Sequence, residues 1–219
     1  MNETWVEFIN ANIDDEAKRD NILQSVNWTL WVRDPGYPPV IFNFSNPDQE
    51  VADQLAKDYI ALGGMASPSN YQVYNTFYSN QRVIFLLYLI NHAHEFNITL
   101  LQRIDIDLGI STENDPEVKQ RWYPLGIAFH YDAVFEPAHT FVSVQGRMKY
   151  LNPIYQALCD YGYRSTAFKW FYENLDFYHP IAIQTLKGIL LQQAYEPTEE
   201  DIKLIKKHEL LLKYKRVRL

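Results

Sequence analysis

Helical spacing of apolar residues runs through almost the whole chain, and it constrains the fold more than any other feature. Ile154, Ala157, Leu158 and Tyr161 follow the i, i+3, i+4, i+7 pattern of one helix face, and other segments repeat it. No stretch alternates apolar and polar residues strongly enough to predict a strand. The sequence therefore predicts an all-α fold of roughly eight or nine short helices, stacked into an α-solenoid or a compact helical array.

Capping residues predict where many of these helices begin and end. Asn46–Pro47, Asp115–Pro116 and His179–Pro180 each place a capping side chain before a proline, which favours the first turn of a helix. Gly63–Gly64 and Gly109 should end helices, because glycine adopts the left-handed conformation at little cost. Thr99 is predicted to cap a helix, and residues 67–80 to form an aromatic helix.

Residues 26–39 break the helical pattern. They contain two tryptophans and three prolines. Proline disfavours a helix interior and biases the preceding residue towards extended geometry. We predict a linker or strap here, with its tryptophans packed on other residues.

Composition indicates a well-packed protein. The chain is 47% hydrophobic and 15% aromatic, enough for a sizeable core. The single cysteine, Cys159, allows no intramolecular disulfide and suits a reducing compartment. The longest apolar run, Val83–Ile90, is too short to cross a bilayer. We therefore expect a cytoplasmic protein without a transmembrane segment, and association with the cytoskeleton stays an open alternative.

Charge is unevenly distributed along the chain. The formal net charge is −7, yet seven Lys or Arg and one acid lie between Lys203 and Leu219. The acidic remainder argues against a nucleic-acid-binding surface. Protein partners within a larger complex are the expected class of interaction.

Residues 194–219 are predicted to form a basic amphipathic C-terminal helix. Thr198 and Asp201 have the spacing of a capping box at its start. Two interpretations remain open: a solvated helix docked on the last helix pair, or a contact for an acidic protein surface, a tubulin-like acidic tail or an anionic membrane. The candidate contact residues are Lys206, Lys207, Lys213, Lys215, Arg216 and Arg218.

A second group of cations lies where two predicted helices meet. Gly146 follows an apolar run and should close a helix, and Asn152 with Pro153 should open the next one. Arg147 and Lys149 would then lie in a tight turn between the helices. Local chemistry alone allows either solvated cations or an anion-binding pair.

The motifs of self-contained catalysis are absent from the sequence. There is no His-Glu-x-x-His zinc motif, no Gly-x-Ser-x-Gly nucleophile elbow and no phosphate-binding glycine loop. Asp105, Asp107 and Asp132 fit the pattern of helix-surface acids. We expect no catalytic residue, no metal ligand and no cofactor in this chain, so that it is not an enzyme on its own.

Four segments together resemble one known family. They are Val26–Trp28, Pro35–Pro39, Glu117–Trp122 and, most specifically, Gln145–Tyr150. These runs are similar to the C-terminal helical domain of the leukotriene A4 hydrolase and aminopeptidase B family. The resemblance extends over about residues 5 to 190, with the intervening helices matching in pattern more than in identity.

The resemblance implies a fold, a site and a domain organisation. In that family the helical domain is HEAT-like, which implies a right-handed HEAT-like α-solenoid, an α-α superhelix, for this chain. Residues matching Arg147 and Lys149 bind the substrate carboxylate in the family. The zinc ligands and the catalytic glutamate belong to upstream domains, so zinc is expected only if this chain pairs with a separate catalytic domain. We expect remnant helices and a Pro/Trp strap that would join a zinc domain at 1–40, the helical domain at 41–193 and the basic helix at 194–219.

Three functions remain open from the sequence. The favoured one is a non-catalytic interaction or scaffold subunit derived from such a peptidase. The alternative is the C-terminal domain, or a separately encoded part, of a zinc aminopeptidase or epoxide hydrolase, to which Arg147 and Lys149 contribute carboxylate recognition. The third is a protein that binds peptide C-termini without catalysis.

Overall fold

The computed structural model describes residues 2–37, 40, 46–191 and 198–206. Within these residues all regular structure is helical, which confirms the all-α prediction. The chain divides into two compact units, Met1–Ser45 and Asn46–Leu219, which are described separately. The α-helices are α1 (Asn2–Asn12), α2 (Glu16–Gln24), α3 (Trp28–Val32), α4 (Pro47–Leu62), α5 (Ser79–Asn91), α6 (Ile98–Leu108), α7 (Pro116–Ala128), α8 (Phe135–Val144), α9 (Met148–Asp160), α10 (Arg164–Glu173) and α11 (Pro180–Leu190).

The first unit contains α1 to α3. The Asn27 side chain caps α3 by accepting a hydrogen bond from the Leu30 amide at 3.1 Å. Trp28 meets Trp5 edge to face, with ring centroids 6.4 Å apart. The helical pattern is therefore not broken over the whole of the predicted linker or strap, because the five-residue helix α3 lies inside it. Pro35, the first proline of this segment, follows the end of α3 at Val32.

The second unit is built as two rows of helices. Helices α5, α7, α9 and α11 are successive neighbours in one row. Helix α4 packs on α5 and α6, while α10 packs on α8, α9 and α11. This is the stacked, HEAT-like arrangement that the sequence predicts. Its core runs from Ala52 to Leu190 and includes the fully buried ring of Trp122.

Most of the predicted helix boundaries are found. The Asn46, Asp115 and His179 side chains each accept a hydrogen bond from a backbone amide in the first turn of their helix. Gly63 and Gly109 follow α4 and α6 in the left-handed region, with φ of 59° and 65°. The capping glycines and prolines are therefore reliable markers in this sequence.

Two predicted boundaries are wrong. Residues 67–80 do not form an α-helix of their own: Tyr71–Thr76 form a 3-10 helix, and the last two residues belong to α5. Asparagine, serine and threonine are frequent in this stretch, and their side chains compete for backbone hydrogen bonds, as Thr76 does with the Val73 carbonyl at 2.7 Å. Asn97 caps α6 in place of Thr99, because its side-chain oxygen accepts from the Thr99 amide at 2.9 Å.

Two of the three acids predicted on helix surfaces are only partly exposed and accept hydrogen bonds from neighbouring segments. Asp105 accepts hydrogen bonds from the Ser111 amide at 2.8 Å, the Ser111 hydroxyl at 2.7 Å and the Tyr131 hydroxyl at 2.8 Å. The Asp107 side chain is only 5% exposed, whereas Asp132 is exposed as predicted. Buried hydroxyl donors need acceptors, and the two aspartates provide them.

Candidate anion-binding site

The turn that carries Arg147 and Lys149 differs from the predicted one. Helix α8 ends at Val144, Gln145 is extended, and α9 begins at Met148 with Arg147 as its N-cap residue. Gly146 is absent from the residues with positive φ, so it is not a left-handed helix terminator. The predicted turn geometry is therefore wrong, although the two cations do lie at a junction between helices.

Asn152 and Pro153 lie inside α9 instead of opening it. The Arg147 carbonyl accepts from the Tyr150 amide at 2.9 Å and the Leu151 amide at 3.1 Å, so the helix is already formed there. Pro153 is the sixth residue of α9, and its missing N–H costs the hydrogen bond to the Lys149 carbonyl. Packing of α9 against α7 and α11 offsets that local loss.

Arg147 is exposed at the N-terminus of α9. Its guanidinium lies over the ring of Tyr150, 5.5 Å from the centroid, which is cation–π geometry. In the part of the chain that the structure describes, no ion pair joins this guanidinium to a carboxylate. Its five N–H donors are therefore available to an external anion.

Lys149 already has a carboxylate partner. Its Nζ donates to Oε1 of Glu117, on α7, at 2.5 Å. The Lys149 side chain is 45% exposed and the Glu117 side chain 26% exposed, so the pair is accessible from solvent. An ammonium has three donors, and this contact uses one of them. Lys149 is therefore an oriented cation with donors left for a ligand.

Glu117 is the centre of a hydrogen-bonded cluster. Besides Lys149, its carboxylate accepts from the Tyr150 hydroxyl at 3.1 Å, from Arg121 at 3.2 Å and from the Gln120 amide at 2.6 Å. The hydrogen bond from Lys149, opposed by desolvation and supported by Arg121 and Tyr150, lowers the pKa of Glu117 to about 2. The carboxylate therefore stays ionised throughout the neutral range.

Glu117 is a candidate site residue that the sequence does not predict. The residue stands in the Glu117–Trp122 segment that carries part of the family resemblance, and Arg121 follows it at i, i+4 spacing. That spacing predicts the contact with Arg121, which the structure contains. The contact with Lys149 spans 32 residues and has no local signal.

Two other carboxylates are held in a similar way, each by a tyrosine hydroxyl and an arginine. They are Asp107 with Tyr59 and Arg103, and Glu113 with Tyr74 and Arg82. Both join helical segments through largely buried tyrosines. The Glu117 cluster differs from them because it also contains an exposed lysine and adjoins Arg147 at the start of α9.

A cavity of about 650 Å³ lies close to the same cluster. It is lined mainly by apolar residues of α7 and α9, including Pro124, Leu125, Pro153 and Ala157, and Arg121 also lines it. Arg147 and Lys149 are not among its lining residues. The cavity and the candidate anion-binding site are therefore separate features that share Gln120 and Arg121 as neighbours.

The remaining predicted features are only partly covered by the structure. Residues 199–206 are helical, and Thr198 and Asp201 exchange the two hydrogen bonds of a capping box at 3.2 and 2.9 Å. Lys206 is exposed on this helix, whereas Lys207, Lys213, Lys215, Arg216 and Arg218 lie outside the described residues.

The described residues contain neither a metal-binding cluster nor a membrane-spanning helix. No group of three or more His, Cys, Asp or Glu side chains there could hold a metal ion. None of the helices in the same ranges is long and apolar enough to pass through a bilayer.

The fold and the site together define a class of protein, a stacked helical domain that presents an exposed arginine at a helix start. Residues 77–190 match the family model described as "Leukotriene A4 hydrolase, C-terminal". The match covers more than half of the chain, so this protein belongs to the leukotriene A4 hydrolase C-terminal domain family.

Curated relatives support the same assignment. Leucine aminopeptidase 2 of Aspergillus clavatus is 30% identical over 81% of this chain, and that of Ajellomyces capsulatus is 31% identical over 77%. The matches span only 28% and 26% of those two proteins. A solved structure described as native yeast LTA4 hydrolase has a TM-score of 0.67 at 24% identity, covering 80% of this chain and 30% of the yeast chain, which supports the fold.

Proposed function

We propose that this domain is the non-catalytic helical part of a zinc aminopeptidase, where it binds the carboxylate of the substrate. Arg147 makes the direct contact and Lys149 contributes a second charge. The observation that carries the proposal is the exposed guanidinium of Arg147 at the start of α9, which has no carboxylate partner among the described residues. The aminopeptidase relatives supply the expected substrate class, a peptide with a free C-terminus.

The chemistry of the turn suits such a ligand. A guanidinium can bind a carboxylate through two parallel hydrogen bonds, and a nearby ammonium adds charge. No side chain of the described residues caps α9, so no such side chain accepts hydrogen bonds from the backbone amides of its first turn. These amides point out of the N-terminal end of the helix, which favours a negatively charged ligand there. Zinc and the catalytic groups would come from a separate domain, and no residue of this chain is assigned to them.

Peptide binding to the isolated chain tests the proposal. We expect a short peptide with a free C-terminus to bind weakly, and its C-terminally amidated form to bind more weakly still. Arg147→Ala should reduce affinity for the free-acid peptide about tenfold or more, because a charge-assisted pair is lost. Titrations followed by NMR measure both affinities. Lys187→Ala, at an exposed lysine of α11, is the control for the same change in net charge.

Equal affinity of the wild type and Arg147→Ala for the free-acid peptide would contradict this function. The second candidate, the interaction or scaffold subunit favoured by the sequence, would then be preferred. The apolar cavity between α7 and α9 supports that candidate, since such a concave surface can receive a partner side chain. The basic residues from Lys206 onward would add a contact for an acidic partner.

A further inference from the structure

We propose that Glu117 is the positioning residue of the carboxylate site, and that it orients both cations before a ligand arrives. This inference rests on the proposed function, because it concerns the same site. Glu117 would not touch the substrate. It acts through Lys149 and Tyr150, and each contact leads to one of the two cations.

The first route runs directly to Lys149. A lysine side chain has many rotamers, and a ligand that must order it loses affinity. The Glu117 carboxylate holds the ammonium at 2.5 Å while leaving the side chain 45% exposed. The orientation of Lys149 is thus fixed by folding, and the ligand meets a cation already in place.

The second route runs through Tyr150 to Arg147. The Tyr150 hydroxyl donates to Glu117 at 3.1 Å, and the tyrosine is buried. These contacts fix the ring, and the ring carries the Arg147 guanidinium 5.5 Å from its centroid. Glu117 therefore positions an arginine that it does not itself contact.

An opposite role for Glu117 predicts an opposite result. A carboxylate beside Lys149 could instead compete with the substrate for the ammonium, and its removal would then strengthen binding. Arg121 and Gln120 favour positioning, because both donate to Oε2 of Glu117 and hold the carboxylate on α7. Lys149 also keeps donors that Glu117 does not use. The sign of the change in affinity separates the two roles.

The experiment compares Glu117→Gln with a matched variant, Glu113→Gln. Glu113 is held by Tyr74 and Arg82 in a cluster of the same chemistry, so both variants lose one such carboxylate. The measured quantity is the ratio of affinities for the free-acid and the amidated peptide. We expect Glu117→Gln to lower that ratio about three- to tenfold, as expected when a side chain must be ordered by the ligand. Glu113→Gln should leave it unchanged.

A second variant, Tyr150→Phe, tests the same role in case Glu117→Gln folds poorly. Tyr150→Phe keeps the ring but removes the hydroxyl contact, and it should lower the same ratio and shift the Arg147 Nε–H signal in NMR spectra. An unchanged or increased ratio in both variants would overturn the positioning role while leaving the proposed function intact. If the wild type binds the free-acid and the amidated peptide with equal affinity, and Arg147→Ala has the same affinities as the wild type, the proposed function and this inference both fail.

Discussion

The Glu117 carboxylate accepts hydrogen bonds from four side chains. Gln120 and Arg121 lie on α7, and Lys149 and Tyr150 lie in the first turn of α9. A carboxylate has about four lone-pair positions, so such a cluster satisfies its hydrogen-bonding capacity. Its contacts hold α7 against α9 next to the exposed Arg147. At the scale of single residues, the contact between α7 and α9 thus depends on the same carboxylate to which we assign the positioning of Arg147 and Lys149.

Acid titration should reveal the contribution of Glu117 to stability. The folded-state pKa is lowered from 4.5 to about 2, chiefly by the hydrogen bond from Lys149. A carboxyl group whose pKa is lower in the folded than in the unfolded state stabilises the fold at pH values above its ordinary pKa. That contribution is lost as the pH falls from about 4.5 towards 2. We expect the difference in unfolding free energy between wild type and Glu117→Gln to shrink over this range in urea titrations at several pH values.

The control for this titration is Glu136→Gln. Glu136 is an exposed residue of α8, and none of the ion pairs in the described residues includes it. The difference in unfolding free energy between Glu136→Gln and the wild type should change less between pH 7 and 3. A constant difference for Glu117→Gln over the same range would argue against the lowered pKa.

Helix ends show where local sequence signals decide and where packing decides. Capping side chains set the starts of α4, α7 and α11 as predicted. The start of α9 is set differently, because the helix begins before Asn152 and Pro153 and extends across α7. A proline near the start of a helix is therefore an ambiguous signal when tertiary contacts extend the helix in the N-terminal direction.

The two glycines after α4 offer a matched test at the scale of elements. Gly63 and Gly64 both have positive φ, but a Cβ on Gly63 would meet open space, whereas one on Gly64 would lie 2.5 Å from the Thr99 carbonyl oxygen. We expect Gly63→Ala to cost about 1 kcal/mol, from the backbone conformation alone. Gly64→Ala should cost about 3 kcal/mol or more, because the contact with α6 must open as well.

Urea unfolding of the two variants measures these costs. The comparison isolates the close approach of α4 and α6, since the two substitutions are chemically identical and adjacent. Equal destabilisation would show that the Gly64 contact does not limit how closely these helices pack.

At the scale of the molecule, one hydrophobic core holds the helical array together. The core cluster extends from Ala52 to Leu190, and the family match at residues 77–190 lies inside the same unit. The described residues of Met1–Ser45 do not belong to that cluster. This supports a boundary near residue 45, while the predicted division at 40 and 193 stays a prediction.

A truncated chain tests the independence of the larger unit. We expect residues 46–219 to fold cooperatively, with helical circular dichroism and a thermal midpoint within a few degrees of that of the full chain, because the core is retained. Leu55→Ala in the fragment is the positive control, since this fully buried side chain should contribute about 2–5 kcal/mol. A fragment without a cooperative transition would show that the first unit is needed for folding.

Much of the site could be anticipated, although not its arrangement. The local pattern predicts Arg147 and Lys149 at a junction between helices, which is observed, and the Gln145–Tyr150 resemblance implies their carboxylate-binding role. The role of Glu117 could not be read from the sequence, because only its i, i+4 contact with Arg121 has a local pattern. The carboxylate-binding function and the acidic partner of the C-terminal tail stay predictions.

The sequence by itself determined the helical class, most of the capped ends and the family, because these depend on periodicity and on residues close together in the chain. Only the tertiary structure decided where α9 begins and which cation is already paired. The Lys149–Glu117 contact joins residues 32 positions apart on neighbouring helices. Such a pair is created by the packing of α7 on α9, and its energy depends on the exposure and geometry that this packing fixes.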